Sequence, residues 1–200
     1  MMKQISEKDI KTRILLSAKK LFAKQGFDAT TVRQICEDAG ANVALVSYHF
    51  GGKEKVFEAI FEQFFPGNAM DQYADELMEP ITGIRFLVRE IIIFTSNDRE
   101  LSDMVQRELT LESPRSSIVL KFIDPVWEQV RFLLEQGKRE GKFHYESLNH
   151  TLLMVIGVCL AHKRIHNFDR LFTEEGYDEE RIPEQAIEFI LKALGVKEYE

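Results

Sequence analysis

Thr31, Leu45, Tyr48, His49 and Lys53 are the residues whose types and spacing could do directed chemistry. Leu45, Tyr48 and His49 stand at i, i+3 and i+4, so on a helix they share one side. A phenol and an imidazole can hydrogen-bond to phosphate oxygens or base edges, and a leucine beside them can touch a thymine methyl. Thr31 opens the pattern Thr-Val-Arg-Gln, a capping box in which Thr31 and Gln34 each satisfy a free backbone N–H. A hydroxyl at such a helix start is placed to hold a phosphate, and Lys53, after two glycines, can do so with charge. Other chemistries lack their residues. No Ser/His/Asp order, phosphate loop or metalloprotease spacing occurs, so no enzyme is expected. His162 and His166 have the spacing of a shared metal pair. No third ligand is evident, and Lys163 and Arg164 between them suit a basic helix end. No metal and no cofactor are expected.

The elements that must position these residues read as helices throughout. Ile10, Ile14, Leu15, Ala18, Leu21 and Phe22 form one apolar face, stopped at Gly26. The helix opened by Thr31 buries Val32, Ile35, Cys36 and Ala39, and Gly40 is placed to end it in a left-handed conformation. Residues 40–42 then form a short turn, Asn42 caps a third helix, and Gly51-Gly52 ends it. Two short helices around such a turn are the helix-turn-helix arrangement. On the third helix Val43, Val46 and Phe50 share a side that can pack inward, which leaves Leu45, Tyr48 and His49 outward. A short helix held by two others, with such an outer face, can enter the major groove, which is roughly 12 Å wide.

A fourth helix follows from Lys53 with Val56, Phe57, Ile60, Phe61 and Phe64 inward, up to Pro66-Gly67. Further helices are expected near 70–78, from Pro80, over 99–112, from Ser113-Pro114 to about 138 with a kink or restart at Asp124-Pro125, over 148–166 and over 183–194. The fold class is therefore all-α, with about nine helices. Its domains are a helix-turn-helix head, residues 1–52, and a helical body, residues 53–200.

Charge separates the same two parts. The chain carries a net −7, but residues 1–55 carry +4 and the remainder −11. A basic head on an acidic body suits a head that meets a polyanion. Cys36 and Cys159 are far apart and suggest no disulfide framework. The opening MMKQISEKDI lacks the apolar core of a signal peptide. The longest apolar run, residues 152–161, falls short of the about 20 residues of a membrane span. A cytoplasmic location without membrane contact is expected.

In the body, residues 148–166 and 183–194 are apolar on nearly every side, and a helix apolar all round must be covered all round. A homodimer through a four-helix bundle is expected, with Leu152, Val155, Ile156, Cys159, Ile187, Ile190, Leu191 and Leu194 at the interface. Phe86, Phe94, Met104, Phe122, Trp127, Met154 and Val158 are candidates to line an apolar ligand pocket, or else plain core. Among or beside these helices, Arg89, Arg107 or Arg115 could meet an anionic ligand or pair with Glu108.

Residues 10–57 resemble the DNA-binding head of the TetR family of bacterial transcriptional regulators. The resemblance is carried by ILLSAKKLFAKQGFDATTVRQICEDAG, the turn, and SYHFGGKEKVF. It implies a repressor, a homodimer on a palindromic double-stranded operator, released by a small effector. It also implies phosphate contacts from Thr31, Arg33 and Lys53, and groove-facing positions at Asn42, Val43, Leu45, Ser47, Tyr48 and His49. A tyrosine common in the family falls at Ser47 here, so base contacts are expected of Tyr48 and His49. Activation in place of repression, or a helical protein-interaction module, are the alternatives.

Overall fold

The computed structural model describes residues 7–172 and 178–196. Among them are nine α-helices and no strand: α1 (Glu7–Gln25), α2 (Val32–Ala39), α3 (Val43–Phe50), α4 (Lys53–Phe64), α5 (Pro80–Asn97), α6 (Arg99–Thr110), α7 (Ser116–Arg139), α8 (Leu148–Leu160) and α9 (Ile182–Ala193). None is long and apolar enough to cross a membrane.

The contacts divide the chain into two compact units. The first holds residues 1–68 and 98–122, the second residues 69–97 and 123–200. The division takes α6 and the start of α7 into the first unit, where the sequence suggested a single boundary at residues 52–53.

In the first unit α1 packs against α2, α4 and α6, and α3 against α2 and α4. The periodic face of α1 supplies Ile14, Ala18 and Phe22, each at most 1% exposed, and Ile35, Val46, Phe57 and Phe61 are 0% exposed in the same unit. Aromatic rings continue the core. Phe22, Phe27 and Phe57 lie within 5.2–5.8 Å of one another, and Phe122 stacks on Phe61 at 5.5 Å. Buried Lys19 donates to both Asp98 carboxylate oxygens at 2.8–2.9 Å, and Asp98 in turn caps α6 by accepting the Leu101 N–H at 3.1 Å.

The second unit is built on α5, α8 and α9, which pack on one another, and on the C-terminal part of α7. Its core joins Ile84, Leu87, Val88 and Ile92 of α5 to Val130, Leu133 and Leu134 of α7 and to the buried residues of α8 and α9. Gly137 belongs to this packing, because Phe143 occupies the space where a Cβ would stand.

Three expected elements differ. α7 continues through Pro125 without a restart, although proline has no N–H to donate there. α8 stops at Leu160, and the chain tightens into a 3₁₀ helix over Ala161–Asn167. The segment near 70–78 is likewise 3₁₀, over Pro66–Tyr73.

Candidate nucleic-acid interface

The candidate interface is built by caps that its sequence supplies locally. α1 ends, and Gly26 turns the chain at φ 86°. Thr30, fully buried, donates its hydroxyl to the Gly26 carbonyl at 2.7 Å. At Thr31 the capping box is complete: the Gln34 N–H donates to Thr31 Oγ1 at 3.2 Å, and the Thr31 N–H donates to Gln34 Oε1 at 2.9 Å. Gly40 closes α2 at φ 60°, where a side chain would be strained and would also strike the guanidinium of Arg13. That guanidinium donates to the Ala39 carbonyl. Asn42 Oδ1 then accepts the Ala44 N–H at 2.9 Å and starts α3. At this short length α3 depends on its neighbours for stability.

Val46, 0% exposed, fixes which side of α3 points inward. At 3.6 residues per turn, Ala44 and Tyr48 lie opposite it. Both are exposed, as is Ser47 beside them, and Tyr48 is 78% exposed. Leu45 and His49 are half-buried on the flanks, and the His49 ring stands edge-on to Tyr48 at 4.8 Å. Val43, grouped with the inward residues by its spacing, is exposed. It occupies the first helical position, where no preceding turn covers it. Ala44, passed over in the sequence, belongs to the outward face; the signal was its position opposite Val46.

Of the other expected contacts, Thr31 and Asn42 are exposed caps, and Arg33 is solvent-facing, paired with Glu37 at 2.9 Å. Lys53 is engaged within the unit. Its ammonium donates to the carbonyls of Phe27 at 2.9 Å and Thr30 at 2.7 Å and stands 4.1 Å from the Phe27 ring centroid.

The expected ligand-lining residues fall in both units. Met104 is buried in the first, as is Phe122 on Phe61. In the second, Phe86, Trp127 and Val158 are half-buried against the core, Phe94 is half-buried, and Met154 is exposed at 66%. Arg115 pairs with Glu108 at 3.0 Å, and Arg89 pairs with Glu184. Of the residues expected to meet a partner, Val155, Cys159, Ile187, Ile190, Leu191 and Leu194 fill the chain's own core, and Leu152 and Ile156 are half-buried. The face of α8 left outward carries Leu153, Met154 and Gly157, and α9 leaves Phe189 outward at 64%.

Burial pushes the Cys36 thiol up, and that of Cys159 up to about 12, so both stay protonated and pack as small apolar groups. Half-buried His162 places Nε2 3.1 Å from Thr95 Oγ1. The side chain of His166 lies outside the described residues. Among those, no cluster could hold a metal ion.

The architecture is that of a helix-turn-helix DNA-binding regulator. Residues 14–60 match the family of bacterial regulatory proteins, tetR family. A protein named as a probable HTH-type transcriptional regulator, YttP of Bacillus subtilis (strain 168), is 29% identical over 157 residues, covering 76% of this chain and 74% of its own. The HTH-type transcriptional repressor NicS of Pseudomonas putida is 26% identical over 152 residues, 73% of this chain and 72% of its own. The crystal structure of HlyIIR, a hemolysin II transcriptional regulator, superposes with a TM-score of 0.78 at 25% identity, over 96% of this chain and all of that one. Over residues 14–60 the chain carries the head of the TetR family of bacterial transcriptional regulators, whose members bind DNA, and its relatives are transcriptional regulators. These relatives are regulators and not enzymes.

Proposed function

We propose that the protein is a ligand-responsive transcriptional repressor that binds a palindromic operator as a homodimer. The observation that carries this reading is the outward face of α3: an exposed tyrosine flanked by Ser47 and Ala44, on a helix locked between two glycine-terminated caps. Thr31 and Arg33 at the start of α2 flank it as phosphate contacts, with base edges left to Tyr48, Ser47 and the half-buried Leu45 and His49. Val43 and Asn42 lie at the N-terminal end of α3, where recognition helices make base contacts. Lys53 contributes its charge while holding the loop before Thr31.

The partner subunit, in this reading, covers the outward apolar side chains Leu153, Met154 and Phe189, and Gly157 lets a second helix approach closely. Apart from its chain neighbours and the backbone of its own helix, nothing lies within 4 Å of where a Cβ at Gly157 would stand. Leu152 and Ile156 border this face, while the six buried residues support it from behind. Phe86, Phe94, Trp127 and Val158, half-buried, remain the candidates for contact with a small, largely apolar effector. The residue division at 52–53 marks the end of the recognition motif, with α4 as the first element beyond it.

Selection of bound sequences from a randomised duplex library tests the reading. Enrichment of an inverted repeat, with affinity falling steeply as salt rises, is the expected outcome. Salt-sensitive binding with no enriched sequence would contradict it. Repression is the sign named for the relative NicS. A reporter fused downstream of the enriched site separates repression from activation.

A further inference from the structure

Two elements of the first unit converge on Phe27, in the loop between α1 and α2. From α4, Lys53 stands 4.1 Å from its ring centroid. From the turn between α6 and α7, the Arg115 guanidinium stands 4.2 Å from it. Arg115 is itself fixed. Its Nε donates to Glu108 at 3.0 Å and its Nη2 to Asp28, the next residue of the same loop, at 3.2 Å. Glu108 is 3% exposed and also accepts the Ser113 hydroxyl, while the Arg115 side chain is 11% exposed. A desolvated guanidinium over an aromatic face is a strong form of that contact, and its fork is directional. The loop so held ends in Thr31, and its Phe27 and Thr30 carbonyls are the ones Lys53 grips.

We propose that Arg115 is a positioning residue for DNA binding: through Phe27 and Asp28 it holds the loop that presents Thr31 and the N-terminus of α2. The proposal rests on the reading above, in which α2 and α3 dock on DNA. It makes the α6–α7 turn a determinant of DNA affinity, although that turn stands outside the helix-turn-helix motif. Arg115 touches no base and no phosphate in this role.

The test compares variants on a duplex enriched from a randomised library by the wild-type protein. Arg115→Met alone leaves Glu108 buried without its cation, which is destabilising in itself. The double variant Arg115→Met/Glu108→Gln removes both charges and keeps an acceptor for Ser113. It is expected to melt close to wild type, to bind the duplex roughly tenfold more weakly, and to lose amide-exchange protection over residues 27–34 but not over residues 56–60. Arg115→Lys, which keeps a cation near the ring, is expected to recover part of the affinity. Phe27→Leu keeps apolar volume without the π face and carries the same expectation as the double variant, should that variant fail to fold. Wild-type affinity in a folded double variant or in Phe27→Leu overturns the proposal alone. Failure of the wild type to enrich any duplex overturns the reading beneath it, and the proposal with it.

Discussion

Lys53 shows how a residue's type can be plain in the sequence while its surroundings are not. Its charge at the start of α4 is plain in the sequence, but the two carbonyls it grips lie 23 and 26 residues earlier. Only the fold brings them together. Lys53→Ala is therefore expected to lower stability by about 1–3 kcal/mol, because two charge-assisted hydrogen bonds are lost. It should also weaken binding to all DNA sequences alike, lowering the salt slope by about one unit. Thermal unfolding and a salt series measure both. Unchanged stability would mean that the grip on the loop is idle. The caps were legible for the opposite reason. Thr31, Gln34, Gly40 and Asn42 act on backbone groups within four or five residues, so their spacing carries the information. Val43 was misplaced because the exposure of a first-turn residue depends on what precedes it in space.

At the scale of elements, the amphipathic faces of α1, α2 and α4 follow from sequence periodicity, since each has one covered side. α8 does not, because apolar residues lie all round it and periodicity cannot choose the inward ones. Packing chose Val155 and Cys159 and left Leu153 and Met154 outside. α5 offers a test of how an element start is held. Glu79 accepts the Thr82 N–H at 2.7 Å and a Lys142 Nζ–H at 3.0 Å. Burial acts to raise its carboxyl, but these hydrogen bonds outweigh it and hold the group at about 2, against an ordinary value of 4.5. The folded value is depressed, so the stabilisation is present above pH 4.5 and is lost as pH falls toward 2. Its side chain is 40% exposed, and solvent screening leaves about 1 kcal/mol. Glu79→Gln should melt lower at neutral pH and show a flatter stability profile between pH 4.5 and 2 than wild type. Parallel profiles for the two proteins would contradict this.

At the scale of the whole molecule, the proposed function gives attraction to DNA to the basic residues 1–55, at +4, and not to the remainder, at −11. In the proposed homodimer, two heads on a two-fold axis reach half-sites about 34–36 Å apart when these are one turn apart, which ties DNA affinity to the proposed partner face. Leu153→Glu introduces a charge at an exposed position, so the fold should persist with unchanged helix content. The dimer should dissociate and operator affinity should fall. Sedimentation and anisotropy measure the two together, and a dimer that persists in the variant would contradict the assigned face. The excess apolar surface that motivates a partner is legible in the sequence. Which residues meet that partner is not, because the same residue types build the core behind it.

The most direct test of the α3 reading face is the affinity of wild type and Tyr48→Ala for the selected duplex and for a scrambled duplex of the same composition. A loss of about 1–3 kcal/mol on the selected duplex only is expected, with an unchanged unfolding midpoint because Tyr48 is 78% exposed. Equal affinities of the two proteins for the selected duplex would contradict a base-reading role for this face.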